Sequence, residues 1–160
     1  MTVPGQGEDR ALAALVASGI EHQVTRHGPV SSLAEAAEAR GLEPRDILKT
    51  LVVRRSAADY VLVLVPGDRT ISWPKLRALL GENRLSLPPA DEALFATGYE
   101  RGTITPFGST TAWPVVVDET AVGRTVSIGG GAHGVAATVS TDDLVRVLDA
   151  TVADVTDVAH

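Results

Sequence analysis

The 160-residue sequence contains no cysteine, and aromatic residues make up only 4% of it. The lack of cysteine excludes disulfides, thiolate metal sites and a cysteine nucleophile, and it fits the reducing conditions of the cytoplasm. Because aromatic side chains are so few, the core must be built mainly from Val, Leu, Ile and Ala. We therefore expect a cytoplasmic protein with an aliphatic core.

Long apolar runs are also lacking. The longest one, Tyr60–Pro66, is far shorter than the roughly 20 residues that a membrane-spanning helix requires. The first ten residues carry two acids and no apolar stretch, so we expect no signal peptide. These patterns predict a protein without a membrane partner.

The charge balance is acidic, with a formal net charge of −6. This balance argues against a broad basic surface of the kind that coats DNA, so we expect no DNA partner. It leaves open a small contact with one end of a nucleic acid, where only a few phosphates need neutralising.

The length suits a single domain, which we place at residues 8–157 after a flexible segment of residues 1–7. Helices lie between hairpins without a regular βα alternation. We therefore expect an α/β (α+β) fold, with a central, mixed, largely antiparallel sheet that is curved or closed into a barrel and flanked by helices. The expected helices are Glu8–Ser18, a segment from Ser32 to Gly41, Trp73–Leu80, Ala90–Thr97 and Thr141–Leu148; the expected strands are Ile20–Thr25, Leu48–Arg55, Tyr60–Val65, Pro114–Asp118, Arg124–Ile128 and Val135–Val139.

Lys49 stands at the start of a strand that is otherwise rich in Leu and Val. In one interpretation it is structural: its stem packs against the sheet while the ammonium reaches water. In the other it is functional, because an ammonium held in an apolar wall would bind a carbonyl oxygen or a phosphate strongly. Taken by itself, the pattern favours the structural interpretation, since structural lysines are common.

The segment Gly129–Gly134 matches the spacing G-x-G-x-x-G of dinucleotide-binding loops. A dinucleotide site requires a helix after the glycines, whereas Val135–Val139 is typical of a strand. Two interpretations remain: a glycine-rich hairpin turn, or a loop that lets a ligand approach the backbone. Four glycines in six positions exceed what a tight turn needs, which favours the second.

The segment Gly98–Gly108 contains three glycines, one proline and the aromatic residues Tyr99 and Phe107. It is either a structural connector or a binding loop whose amides and rings meet a ribose or a base. The residues by themselves leave these two alternatives equal.

The four histidines show no metal-binding spacing, so we expect neither a metal nor another cofactor. His133 lies inside the glycine-rich segment, where its side chain could reach a ligand or be solvated. The sequence also lacks the Gly-x-Ser-x-Gly pattern of serine hydrolases.

Three segments together resemble the YbaK/prolyl-tRNA-synthetase-associated domain family: residues 47–53, 97–108 and 127–131. The resemblance extends over about residues 8–157. It implies a barrel-like mixed sheet flanked by helices. It also implies a trans-editing activity, the hydrolysis of the ester between a wrong amino acid and the acceptor end of a tRNA. An aminoacyl-tRNA synthetase is a further partner that the resemblance suggests.

The resemblance also implies site residues. Lys49 falls on the active-site lysine of that family, and the glycine run falls on the loop that closes over the aminoacyl group. Where cysteine-editing members carry a serine and then Lys-Arg, this chain has Gly129, Ala132 and His133, so its substrate could carry alanine, cysteine or another small residue, with proline tRNA as the expected carrier. The expected substrate-binding residues are Thr50, Gly102, Thr103, Pro106, Phe107, Gly129, Gly130, Gly131 and His133.

The mechanism we expect uses charge stabilisation, because an aminoacyl ester is already activated. The Lys49 ammonium would hold the carbonyl oxygen or the terminal phosphate, and amides near Gly129–Gly131 would hold developing negative charge. The attacking group would be water, or a group of the substrate itself, such as the vicinal ribose hydroxyl acting as base. The alternatives are a non-catalytic module that binds the tRNA end or a synthetase, an enzyme for another small activated ester, and a regulatory protein.

Overall fold

The computed structural model describes residues 6–159. Five helices are α1 (Gln6–Ser18), α2 (Leu33–Ala39), α3 (Trp73–Leu80), α4 (Ala90–Thr97) and α5 (Thr141–Leu148), with short 3-10 turns at Pro44–Asp46 and Glu119–Ala121. The strands are β1 (Gln23–Arg26), β2 (Leu48–Ser56), β3 (Asp59–Pro66), β4 (Arg69–Ile71), β5 (Val115–Asp118), β6 (Thr125–Gly129), β7 (Val135–Ser140), β8 (Thr151–Ala153) and β9 (Thr156–Val158).

The strands form three sheets, with the orders β1-β7-β6, β2-β3-β5-β8 and β4-β9. Only the β3–β5 and β5–β8 pairs are parallel. A single parallel bridge between Ile47 and Ser127 joins the first sheet to the second. The expectation of a mixed, largely antiparallel sheet flanked by helices is confirmed. Among residues 6–159, however, the strand pairs do not close into a barrel.

Strand β3 is the centre of the core, and its residues from Tyr60 to Pro66 are all buried. Successive strand residues point to opposite faces, so Leu62 and Leu64 pack into one apolar cluster while Val61 and Val63 pack into another. Helices α1 and α4 cover the first cluster and α3 covers the second. Because both faces are covered, the strand is a continuous apolar run.

The helix starts follow local capping chemistry. Side chains of Ser32, Ser72 and Ser140 each accept a hydrogen bond from a backbone N–H in the first turn of α2, α3 and α5. Helix α1 begins at Gln6, earlier than the expected Glu8, and its Gly7 packs against the backbone of Gly131 in the glycine-rich segment. Residues 1–5 of the expected flexible segment lie outside the described residues.

Three short strands, β4, β8 and β9, have no counterpart among the expected strands. Each has three residues, which is too short for an alternating pattern to be visible. They form because β4 pairs with β9 and β8 adds to the edge of β5. Within residues 6–159, no helix is both long and apolar enough to cross a membrane.

Candidate active site

A cleft of about 320 Å³ opens beside the start of β2. Its walls come from β2, the start of α4, the loop that follows α4, and the last residue of β6. The apolar part of the lining consists mainly of aliphatic side chains, namely Ile47, Leu48, Val52, Leu87, Ala93 and Ile104. The charged part consists of Arg40, Lys49 and Arg101.

Lys49 is an exposed side chain on the wall of this cleft, between the buried residues Leu48 and Thr50. Gly102 and Gly129 line the same cleft, so the structure brings the lysine and the two glycine-bearing loops together. The Lys49 ammonium makes no hydrogen bond or ion pair with any residue in the range 6–159. Its ammonium is therefore not neutralised by an acid of this part of the chain.

Thr50 is only 8% exposed, and it also lines the cleft. Its hydroxyl oxygen is buried and has no hydrogen-bond partner among the described residues. Buried hydroxyl groups almost always have a partner, because an unsatisfied one costs free energy. A hydroxyl of this kind, next to a cleft, is suited to bind a polar group of a ligand.

The loop between α4 and β5 is held in place by Arg10 of α1. The Arg10 guanidinium donates to the Gly98 carbonyl at 2.8 Å and to the Gly108 carbonyl at 3.2 Å. It also lies 4.8 Å from the centre of the Tyr99 ring, whose hydroxyl donates to the Phe107 carbonyl at 2.6 Å. The Phe107 side chain is buried in the core, so the loop presents Gly102, and not Phe107, to the cleft.

The glycine run, Gly129–Gly131, packs with its backbone against the backbone of the loop between α4 and β5. A Cβ atom on Gly129 would lie 2.8 Å from the Ile104 carbonyl oxygen. The Gly131 amide donates to the Thr103 carbonyl at 3.1 Å, and the Gly130 amide donates to the Val135 carbonyl at 3.0 Å. Both amides are thus engaged within the protein, and Gly129 is the glycine of the run that lines the cleft.

A second cleft of about 450 Å³ adjoins the first, and the two share Arg40, Gly102 and Gly129. His133 lines the second cleft, with its side chain 72% exposed and Nε2 3.5 Å from a Glu100 carboxylate oxygen. His27 also lines this cleft, and its backbone N–H donates to the Gly134 carbonyl at 2.9 Å.

The structure divides the expected site residues into three groups. Lys49, Thr50, Gly102 and Gly129 line the first cleft, and His133 lines the second. The remaining ones line neither cleft; they are Thr103, Pro106, Phe107, Gly130 and Gly131. Sequence reasoning missed Arg40 and Arg101, because an arginine at a helix end or in a loop is usually solvated and carries no local signal of a site.

Arg40 is half-buried where the two clefts meet. Its guanidinium donates to the Ser127 hydroxyl at 3.2 Å and to His27 Nε2 at 3.3 Å. Burial lowers the pKa of Arg40 from its usual value, because removal from water disfavours the charged form.

Among residues 6–159, no Asp or Glu lines either cleft, although the chain has a net charge of −6. The clefts therefore form a positively charged region on an acidic protein. In the range 6–159 no three His, Asp or Glu side chains come close enough together to hold a metal ion. This arrangement suits an anionic ligand with apolar parts.

Residues 27–147 match the model of the aminoacyl-tRNA editing domain, which covers both clefts and most of the chain. The chain belongs to the aminoacyl-tRNA editing domain family. This finding confirms the resemblance to the YbaK-like domains.

Relatives of this editing domain are proteins of prolyl-tRNA metabolism. Proline–tRNA ligase of Thermosipho africanus is 35% identical over 80 residues, which are 50% of this chain and 14% of the ligase. A candidate Cys-tRNA(Pro)/Cys-tRNA(Cys) deacylase of Enterococcus faecalis, EbsC, is 29% identical over 56% of this chain and 55% of EbsC. The editing domain thus spans a small part of the ligase and about half of EbsC.

Solved structures agree over nearly the whole length. A candidate trans-editing enzyme for prolyl tRNA synthetase superposes with a TM-score of 0.86 at 26% identity, over 98% of this chain and 99% of that one. A second structure, described only as a hypothetical protein, gives a TM-score of 0.84 at 29% identity, over 92% of this chain and 99% of that one. A fold similar to this editing domain therefore also occurs as a separate chain.

Proposed function

We propose that this editing domain hydrolyses the ester between a wrong, small amino acid and the 3′ end of a tRNA, with proline tRNA as the carrier. The observation that carries the proposal is the first cleft, which combines the free Lys49 ammonium and the unpartnered Thr50 hydroxyl with aliphatic walls and no acid. Membership of the editing-domain family and the prolyl-tRNA relatives support the same substrate. A protein with this role would work in the cytoplasm, beside a prolyl-tRNA synthetase.

The proposed mechanism relies on positioning and charge. The Lys49 ammonium donates to the ester carbonyl oxygen and stabilises the negative charge that develops there as water attacks the carbonyl carbon. The bond between that carbon and the ribose oxygen then breaks, and a proton passes to the ribose oxygen. No carboxylate or histidine of residues 6–159 lines the first cleft, so the vicinal ribose hydroxyl of the substrate relays the proton: it accepts one from the attacking water and donates its own to the departing ribose oxygen.

Amino acid selection would come from the aliphatic wall. The first cleft must hold the terminal nucleoside and the aminoacyl group within about 320 Å³, which favours a small side chain. A pocket of this type discriminates by roughly 1–3 kcal/mol per methylene group. Alanine and cysteine are the amino acids we propose.

The decisive experiment compares wild type and Lys49→Ala on a panel of tRNAs charged with alanine, cysteine, serine and proline. We expect wild type to deacylate a small-residue tRNA and Lys49→Ala to lose about 100- to 1,000-fold in kcat, as when one oxyanion-stabilising donor is removed. Arg84→Met serves as the control, because it removes one positive charge from an exposed residue that lines neither cleft. An unchanged rate for Lys49→Ala would reject the role of the lysine.

A second candidate function is a non-catalytic module that binds the tRNA acceptor end. It is favoured by one observation: the first cleft contains no side chain that can act as a general base. This candidate predicts that the charged tRNAs bind in a Lys49-dependent way without being hydrolysed. The same panel, read by both binding and turnover, separates the two functions.

A further inference from the structure

Arg40 occupies an unusual position, because it is the one cation that lines both clefts. It follows α2 directly as the capping residue, and its backbone N–H bonds to carbonyl groups of the last helical turn. The Arg40 side chain therefore extends from the end of a short helix. Its guanidinium faces the place where the two clefts meet, which we call the junction. Gly102 and Gly129, the other two shared residues, carry no side chain there, which leaves Arg40 as the dominant group at the junction.

The partners of Arg40 orient its guanidinium without cancelling its charge. The Ser127 hydroxyl is fully buried and neutral. His27 accepts at Nε2, so its ring proton is on Nδ1, which lies 2.9 Å from the Gly28 carbonyl oxygen and donates to it. These two bonds use two of the five N–H groups of the guanidinium. Among the described residues, no carboxylate forms an ion pair with it.

A half-buried arginine with neutral partners is costly unless an anion binds it, because the lost hydration is not replaced by an opposite charge. A guanidinium is also planar, and its parallel N–H groups match the two free oxygens of a phosphodiester. No acid of residues 6–159 lines either cleft, and the Glu100 carboxylate beside the second cleft lies 3.5 Å from His133 Nε2.

The joined clefts fix where this anion would lie. If the first cleft holds the terminal nucleoside with its aminoacyl ester, the nucleic acid must continue through the second cleft, past Gly28, His133 and Gly134. The first internal phosphodiester then falls at the junction. We propose that Arg40 binds the phosphodiester between the last two nucleotides of the substrate. This inference rests on the proposed function. According to it, the contact with Arg40 makes the protein prefer an aminoacyl ester at the end of a nucleic acid over a simple aminoacyl ester.

The test uses two substrates that carry the same amino acid. One is aminoacyl-adenosine, which has no phosphate, and the other is the aminoacyl dinucleotide CpA, which has one phosphodiester. For wild type, kcat/KM should be higher with the dinucleotide. Arg40→Met should reduce the ratio of the two kcat/KM values by about 10- to 100-fold, the effect of losing a charge-assisted hydrogen bond. Arg40→Lys should reduce it less, and Arg84→Met should leave it at the wild-type value.

The outcomes separate this inference from the proposed function. If Arg40→Met lowers kcat/KM equally for both substrates, or for neither, the ratio is unchanged and Arg40 is not a phosphodiester ligand. A purely structural role would affect both substrates alike. If Arg40→Met does not fold, as judged by thermal unfolding, Arg40→Lys decides by the same ratio. If wild type hydrolyses neither short substrate, the panel of mischarged tRNAs decides the proposed function, and the inference is decided by binding of uncharged CpA and adenosine. Arg40→Met should remove most of the affinity advantage of CpA, and the absence of any such advantage in wild type overturns the proposal.

Discussion

The burial of Thr50 is typical of a structural core residue, whereas its lack of hydrogen bonding is not. The side chain is almost completely buried, as expected for a residue of a central strand, yet its hydroxyl has no partner among the described residues. Folding alone would favour valine at this position, because valine has the same shape and no polar atom to satisfy. A residue that costs stability at the wall of a cleft is typical of a functional site.

Thr50→Val should therefore separate activity from stability. We expect kcat/KM for the mischarged tRNA to fall about 2- to 10-fold, the effect of losing one hydrogen bond, while the free energy of unfolding stays equal or rises by up to about 1 kcal/mol. Deacylation kinetics and urea unfolding measure the two quantities. Thr50→Ser is the matched control, because it keeps the hydroxyl. Full activity of Thr50→Val would show that the hydroxyl does not contact the substrate.

At the scale of elements, a buried carboxylate adds to the strand pairing that joins β8 and β9 to the rest of the fold. Asp118, at the end of β5, is fully buried and accepts hydrogen bonds from the Val155 N–H at 3.1 Å and the Thr120 N–H at 3.2 Å. The Val155 carbonyl in turn accepts from the Ser72 N–H at the start of α3. The Asp118 side chain thus joins β5 to the segment between β8 and β9, and that segment is joined in turn to the start of α3.

Asp118→Ala should destabilise the protein by about 2–4 kcal/mol, because it leaves the buried Val155 N–H and the half-buried Thr120 N–H without their charged acceptor. Urea unfolding followed by circular dichroism measures the loss. Asp118→Asn has nearly the same shape and keeps one acceptor oxygen, so its loss should be smaller. A change of less than about 1 kcal/mol in the alanine variant would mean that the two donors find other partners.

At the scale of the whole molecule, charge is distributed unevenly. The net charge is −6, but the first cleft is lined by three cations and the second by Arg40 and two histidines, and no acid of residues 6–159 lines either one. An acidic surface around a small positive region allows contact with a few phosphates at one end of a nucleic acid and repels the rest of it. The acidic composition therefore does not conflict with a tRNA substrate, as long as the contact is small.

This distribution predicts a weak salt dependence. With about two phosphates neutralised by Arg40 and Arg101, log Kd for a tRNA should rise with log salt with a slope of about 1.4, well below that of a protein with a broad basic face. Arg101→Met should reduce the slope by about 1, whereas Arg84→Met should leave it unchanged. Filter binding between 50 and 200 mM salt (a range of about fourfold) measures both. A slope near zero for wild type would exclude phosphate contacts.

The sequence by itself determined most of the helices and the longer strands, because caps, glycine stops and alternating apolar residues are local signals. It also singled out Lys49 and the two glycine-bearing loops, through the family resemblance. Tertiary structure decided the rest. Arg40 and its partner Ser127 are 87 positions apart, and the short strands β4, β8 and β9 form only by pairing with distant segments. The glycine run, expected to serve a ligand, mostly serves close packing of one backbone against another, since only glycine permits that approach.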